Sequence, residues 1–294
     1  MNNSIVELDG IKMFRINEKE HIYLPNEIFV DFRSVINHSA HIAFTYCFYW
    51  LICCFYRYCK YHESKSVTVS DLKKYLGYPK NKKIDYLIKK GGVLDSLGYT
   101  ESTTNFPFAW NYRRRNNEES ELEFFLKSDA RFYDTNDRNF KVKYPVKAFY
   151  RTNEDRCRND LTGTFYSLEN THEVDVRLFH AAMTNKSIGV VGLYLYGFLK
   201  YKCGYYGGGY VVPWPTLMEQ LKLSSGALNK YRDRLEKYNY IRIERNDFYV
   251  GRPLNKTGIA NKYFVNECSD LVTEPVVVKT RKVKEWIKID EMDY

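Results

Sequence analysis

The stretch YVVPWPTLMEQLKLSSGALNKYRDRLEKYNYIRIERNDFYV, residues 210–250, reads as strand, helix, turn, helix and hairpin. Tyr210-Val211-Val212 is a short β-branched run. Pro213 and Pro215 bracket Trp214, and Pro215 suits the first turn of a helix running to Leu221, where a missing N–H costs nothing. Ser224-Ser225 caps a second helix whose buried face is marked by Leu228, Tyr231, Leu235 and Tyr238. Ile241-Arg242-Ile243-Glu244 and Phe248-Tyr249-Val250 then alternate as strands around the polar turn Arg245-Asn246-Asp247. Upstream, Ile188 to Tyr201 reads as a helix, and Gly204 to Gly209 as a glycine-rich turn into the first strand.

The same order occurs about 144 residues earlier. Val30-Asp31-Phe32-Arg33 recurs as Val174-Asp175-Val176-Arg177, and Leu94-Asp95-Ser96-Leu97-Gly98-Tyr99 falls on Leu235-Glu236-Lys237-Tyr238-Asn239-Tyr240. In this first copy His21 to Leu24 is extended and stopped by Pro25, and Ile42 to Tyr61 is a long buried helix. Ser66-Val67-Thr68-Val69 alternates as a strand, and Ser70 caps a short helix from Asp71 to Leu76, closed by Gly77. A second helix carries Ile84, Leu87, Ile88 and Leu94, with Gly91-Gly92 weakening its middle. Tyr99-Thr100 and Leu122 to Leu126 form a two-stranded ribbon. A helix-turn-helix followed by a hairpin describes a winged helix. The expected fold class is therefore α+β: two tandem winged-helix (helix-turn-helix plus β-hairpin wing) domains. They span residues 1–135 and 165–268, with a linker at 136–164 and a tail at 269–294.

The chain has 294 residues, enough for two cores, with 44% hydrophobic and 28% charged residues, an ordered globular balance. Its formal charge of +9 favours an anionic partner. Residues 1–20 are too polar for a secretory signal. Ile42 to Tyr56 is apolar but rises only about 22 Å as a helix, short of a bilayer core of roughly 30 Å, so a buried helix and no membrane partner are expected. Four of the seven cysteines (Cys47, Cys53, Cys54, Cys59) sit on that helix and read as small buried hydrophobes. A reduced, cytoplasmic chain with no metal and no cofactor is the expectation.

In a winged helix the second helix offers its exposed face to the major groove and the wing lies on the backbone or minor groove. In the second copy that face holds Ser225, Asn229, Lys230 and Asp233, flanked by Arg232 and Arg234. Asn can pair with adenine, and Lys or Arg with guanine or phosphate. In the first copy it holds Asn81, Lys82, Lys83, Asp85, Tyr86, Lys89 and Lys90. The wings add Arg113, Arg114 and Arg115 in one copy and Arg242, Arg245 and Asn246 in the other, as phosphate contacts; Arg252, Lys256 and Lys262 continue the basic stretch. The tail carries Lys279, Arg281, Lys282, Lys284 and Lys288 before an acidic end at Asp290, Glu291 and Asp293.

Catalytic patterns are poor. Gly251 to Gly258 imitates a phosphate loop, but Asn255 stands where the second glycine belongs. No His-x-His pair accompanies the many tyrosines, and no nucleophile, base and acid arrangement stands out, so no enzyme is expected.

Two basic winged helices in one chain of this length resemble the plasmid and phage replication initiators built from tandem winged-helix domains. The resemblance rests on Val67 to Tyr99 and Val211 to Val250, with Asn261-Lys262-Tyr263-Phe264-Val265 similar to their last strand. It implies binding of repeated origin sites in double-stranded DNA, recruitment of host replication proteins, and in some members dimerisation, for which the long apolar helix could leave a face. The alternatives are a transcriptional regulator and a winged-helix protein-assembly module that touches no DNA.

Overall fold

The fold is mixed α+β, and its sheets are small. The computed structural model describes residues 4–8, 11–16, 20–63, 67–115, 119–130, 140–163, 169–246, 248–250, 260–278 and 283–285. β1 (Ser4–Leu8) and β2 (Ile11–Ile16) form an antiparallel hairpin. β3 (His21–Pro25) leads into α1 (Ile28–Val35), and α2 (Ser39–Arg57) follows. Every residue from Ile42 to Tyr56 is buried, as a helix apolar on all sides requires. α2 is long and apolar enough to cross a membrane by length and composition, yet it lies inside the protein.

After α3 (Lys60–Glu63) comes α4 (Val69–Tyr75), then a 3₁₀ turn at Lys82–Ile84, α5 (Asp85–Ile88) and α6 (Val93–Ser96). β4 (Glu101–Thr103), the hairpin of β5 (Pro107–Arg115) and β6 (Glu119–Leu126), and β7 (Val142–Tyr144) complete the first half. α7 (Asn153–Arg158) precedes the second half: β8 (Thr171–Asp175), α8 (Val176–Thr184), α9 (Gly189–Tyr206), β9 (Tyr210–Val212), α10 (Trp214–Leu221) and α11 (Ser225–Lys237). It closes with β10 (Ile241–Glu244), β11 (Phe248–Val250), β12 (Asn261–Val265) and β13 (Val283–Glu285).

Several expected elements come out differently. Val67-Thr68 forms no strand: Thr68 is the cap of α4, its hydroxyl accepting from Asp71 N while the Asp71 carboxylate accepts from Thr68 N. The second helix of the first copy is broken at Lys89–Gly92, because Gly91 takes φ +69° and a Cβ at Gly92 would overlap the Tyr86 carbonyl oxygen. β4 pairs with β7, inside the segment read as a linker, and Leu122–Leu126 pairs instead with β5. In the second copy β10 pairs with β12, giving the sheet order β10-β12-β9, while β11 pairs in parallel with β13. Two residues of the supposed turn are held by the body: Arg245 by Glu236, and Asn246 by the Ala260 carbonyl at 2.9 Å. α9 runs five residues past Tyr201, absorbing Gly204.

The two halves are joined at their leading strands. β3 and β8 show the same alternation of buried and half-buried residues and pair antiparallel, His21 opposite Asp175 and Pro25 opposite Thr171. As in any antiparallel ribbon, the two strands are related by an axis local to the pairing, here through Tyr23 and Glu173. The offset of 144 that matches Val30-Asp31 with Val174-Asp175 fails here, because the first pair lies in α1 and the second closes β8. By Tyr99 and Tyr240 the offset has fallen to 141: Gly98 and Asn239 both take positive φ, and Tyr99 N to Leu94 O (2.9 Å) repeats as Tyr240 N to Leu235 O (2.8 Å).

The leading helices bridge the two halves. α1 packs on α10, where Arg33 donates to the Glu219 carbonyl (3.1 Å) and Lys222 Nζ donates to the carbonyls of Arg33 (3.2 Å) and Ile36 (3.0 Å). α8 packs on the first half in return. His180 Nδ1 lies 3.0 Å from the Tyr75 hydroxyl on α4, and Phe179 stacks on Trp50 of α2 at 3.7 Å. Its counterpart Phe29 meets Tyr194 and Phe198 of α9. One buried apolar set therefore runs through both halves. α2 leaves no apolar face for another chain, contrary to the expectation of a dimer seam there.

At the centre α2 crosses α9. A Cβ at Gly197 would overlap the Tyr46 hydroxyl, which passes over it to His172 Nε2 at 2.8 Å. His172 Nδ1 lies 3.0 Å from Asn26 Oδ1, and Asn26 Nδ2 donates to Asn170 Oδ1. With both ring nitrogens used, Nε2 accepting and Nδ1 donating, the imidazole is neutral. Burial, with Lys200 nearby, holds its pKa down at about 3.

An unfolded histidine titrates near 6.5, so below that pH the unfolded chain gains a proton that the fold refuses. Stability from this site is full above pH 6.5 and falls by about 2 kcal/mol on going to pH 5. Urea unfolding at pH 7 and pH 5 checks this: the native protein loses about 2 kcal/mol more than His172→Gln, and equal losses would refute the assignment.

Candidate nucleic-acid interface

α11 begins at Ser224, whose hydroxyl accepts from Ala227 N, and it buries Leu228 and Leu235 against the core. The opposite face at its N-terminal end presents Ser225, Gly226, Asn229 and Lys230 to solvent. The Trp214 indole donates to Ser225 Oγ at 3.2 Å, tying the start of α11 to the start of α10.

The arginines expected to flank this face are largely taken up by the protein itself. Arg232 donates to the Asp233 carboxylate and to Asn229 Oδ1, both at 2.6 Å, and lies over the Trp214 ring. Arg234 donates to the Ser187 carbonyl at 2.9 Å, pinning α11 to the turn before α9. Arg245 pairs with Glu236, their side chains only 18% and 11% exposed. Of the second wing's residues Arg242 is exposed: it pairs with Glu244 at 2.6 Å and covers the Phe264 ring at 3.9 Å.

The first copy differs. Asn81 Oδ1 accepts from Lys83 N and caps the 3₁₀ turn, so this side chain is structural. Lys82, Lys83, Lys89 and Lys90 are exposed, and among the described residues none has an ion-pair partner. Asp85 is bound to the buried Lys73 at 2.6 Å and does not neutralise them. Tyr86 is 39% exposed, its hydroxyl 3.0 Å from His41 Nδ1 at the start of α2. Arg113, Arg114 and Arg115 end β5, where the register sets Glu121, Ser120 and Glu119 opposite them. Arg252, Lys256, Lys279, Arg281, Lys282, Lys288, Asp290, Glu291 and Asp293 lie outside the described residues, as do Gly251 to Gly258.

Two contributors escaped the sequence reading. Lys80, exposed at φ +56° in the turn between α4 and the 3₁₀ segment, adds a cation, and its place between the two expected helices was the signal. His41 stands beside Tyr86, with the His38 ring 5.2 Å from its own, a neighbourhood made by folding alone.

The two candidate segments are tied to the two long helices. Tyr86 meets His41 at the N-terminal end of α2, and Arg234 holds Ser187 at the N-terminal end of α9. The start of α9 lies against the middle of α2, Cys47 Sγ lying 3.6 Å from the Val190 carbonyl. Burial pushes the Tyr78 hydroxyl, in the turn of the first unit, up to about 12, helped by nearby Cys47 and by Tyr231 of α11.

Beneath the first unit a cleft of about 760 Å³ is lined by Lys73, Lys89, Lys90 and Lys143 above an apolar floor that includes Ile52 and Tyr61. Asp95 at the end of α6 accepts from Lys143 at 2.6 and 2.8 Å, as Glu236 at the equivalent place accepts from Arg245. Among the described residues no group of three His, Cys, Asp or Glu side chains is arranged to hold a metal ion.

Arg245 and Lys230 should therefore respond differently to substitution. Glu236→Gln strands a buried guanidinium and lowers unfolding free energy by about 3 kcal/mol, whereas Lys230→Ala stays within about 0.5 kcal/mol of the native protein. Urea denaturation measures both, and equal effects would contradict the division into anchoring and exposed cations. No family model, curated protein or solved structure matches this chain.

Proposed function

We propose that the protein binds double-stranded DNA sequence-specifically through two winged-helix units, and that it serves as a replication initiator of a plasmid or phage. The observation that carries the DNA reading is the group of exposed lysines, Lys82, Lys83, Lys89 and Lys90, on the second segment of a helix-turn-helix, with no ion-pair partner among the described residues. A cationic face kept uncompensated costs self-repulsion and suits a polyanion.

The second half supports the fold reading. Helix, strand, helix, turn, helix, strand, long connection and strand, with β12 central in the order β10-β12-β9, is consistent with the wiring expected of a winged helix. Its recognition helix carries Asn229 and Lys230 outward, types that read adenine and guanine. Among the described residues the first half lacks the strand before α4 and follows its helices with β4 and β7, the β5–β6 hairpin being inserted between them as a candidate wing. The replication role rests on the resemblance to tandem winged-helix initiators, and recruitment of host replication proteins belongs to that same reading.

Fluorescence anisotropy with duplex DNA at several salt concentrations tests the core claim. Affinity falls with salt by about 0.9 log units per log unit for each phosphate neutralised. Changing Lys82, Lys83, Lys89 and Lys90 together to Ala lowers the slope by about 3 to 4. Lys230→Ala weakens binding to the preferred sequence more than to random duplex. The absence of salt-sensitive affinity for any duplex would overturn the proposal.

A further inference from the structure

We propose that the cleft between α4, α5 and the β4–β7 ribbon binds a small phosphorylated ligand with a flat apolar body, the class of the nucleoside phosphates. The site stands independently of DNA binding; only its effect on DNA affinity rests on that reading.

The second half shows what the fold does at this place without a cleft chemistry of this kind. Tyr78 N to Lys73 O (2.8 Å) repeats as Leu223 N to Met218 O (3.2 Å), so Met218 stands where the first half has Lys73. At the offset of 141 that relates Tyr99 to Tyr240, Asp85 falls on Gly226, and the paired Ser102 and Lys143 of β4 and β7 fall on the paired Ile243 and Tyr263 of β10 and β12. Met218, Ile243 and Tyr263 pack into the core. The first half sets two ammonium groups, a hydroxyl and a carboxylate in their place, and a cleft of about 760 Å³ opens there. A buried ion pair stabilises a fold no better than apolar side chains of similar volume, so folding gives no reason for Lys73 and Asp85. A ligand supplies one.

The lining says which ligand. Lys73 and Lys143 are only 8% and 7% exposed, yet both reach the cleft. Among the described residues Lys73 donates to Asp85 at 2.6 Å and Lys143 to the two oxygens of Asp95, which leaves each ammonium a donor for a further acceptor. Lys89, Lys90 and Lys141 stand exposed at the rim, and Asp85 is the single carboxylate among the described lining residues. Several converging ammonium groups suit a multiply charged phosphate better than a lone carboxylate. Below them the floor is apolar, with Ile52, Tyr61 and Phe140. A bare inorganic anion would leave that floor wet, and an uncharged ligand would leave the ammonium groups without an acceptor. The volume is that of a small-molecule site, and two lysines this deep are out of reach of a duplex backbone.

Lys89 and Lys90 belong both to the cleft and to the exposed lysine face, whereas Lys82 and Lys83 are not in the lining. A bound phosphate therefore neutralises two of the cations assigned to DNA, and ligand and duplex oppose each other.

Isothermal titration calorimetry of the full-length chain in about 0.15 M salt, where surface charge is screened, tests the site. The probes are ADP, GDP, CDP and UDP, with the free nucleosides and pyrophosphate as the two parts taken separately. At least one diphosphate should bind at one per chain, about tenfold or more tighter than its nucleoside and than pyrophosphate. Lys73→Met combined with Asp85→Asn strands no charge and should weaken binding about tenfold. Lys89→Ala with Lys90→Ala changes only surface residues and should weaken it about fivefold, while Lys82→Ala with Lys83→Ala leaves it unchanged. Saturating diphosphate should lower the salt slope for duplex by about 1 to 2.

No saturable binding of any diphosphate, pyrophosphate or nucleoside binding as tightly as the diphosphate, or an equal loss from the Lys82 and Lys83 pair would overturn the inference and leave DNA binding standing. Saturable binding of a diphosphate by a chain with no salt-sensitive affinity for duplex would uphold the site and overturn the DNA reading.

Discussion

The crossing of α2 over α9 at Gly197 is the constraint on which the rest of the structure depends. A side chain there would collide with Tyr46, and Tyr46 must pass to reach His172. His172 sits on β8, pairs onward to Asn26 of the first half, and is buried as a neutral ring. A polar chain of this kind in an apolar crossing fixes one register, since slipping either helix by a turn would leave the hydroxyl, the imidazole and the amide without partners. The β3–β8 ribbon depends on that register, and through it so do the positions of α1 and α8.

The second half was legible in the sequence because its signals are local. Pro215 in the first turn of α10, Ser224 as cap and Leu228 and Leu235 on one face each act within a few residues. The repeat was legible at Tyr99 and Tyr240, where one turn conformation recurs with one hydrogen bond. The match of Val30-Asp31 to Val174-Asp175 misled because identical residues occupy a helix in one half and the end of a strand in the other. Strand pairing was the least legible part. β7 reaches β4 across an inserted hairpin, and β12 reaches β10 across residues 245–260; sequence proximity says nothing of either.

Exposure of the candidate side chains was legible for the lysines Lys82, Lys83, Lys89 and Lys90 and not for Arg232, Arg234 and Arg245, and the difference is physical. A lysine is a strongly hydrated point charge on a flexible stem, whereas a guanidinium is planar, weakly hydrated and offers five donors. Arg232, Arg234 and Arg245 each found carbonyl, amide or carboxylate partners inside the protein, which helical position alone does not reveal. Lys82, Lys83, Lys89 and Lys90 found no ion-pair partner among the described residues and remain outward.

Two similar halves within one chain are free to differ while the β3–β8 ribbon joins them. In a homodimer, a break at Gly91-Gly92 would occur in both subunits; here the first half carries the break and the second keeps thirteen continuous residues in α11. The break turns Lys89 and Lys90 out beside the cleft, whereas the continuous helix holds Asn229 and Lys230 on a rigid face. On the DNA reading proposed above, the exposed lysines would serve affinity for phosphate and the continuous helix discrimination between bases. The fixed crossing at Gly197 and the divergence of the two exposed faces are compatible because buried residues set the first and surface residues the second.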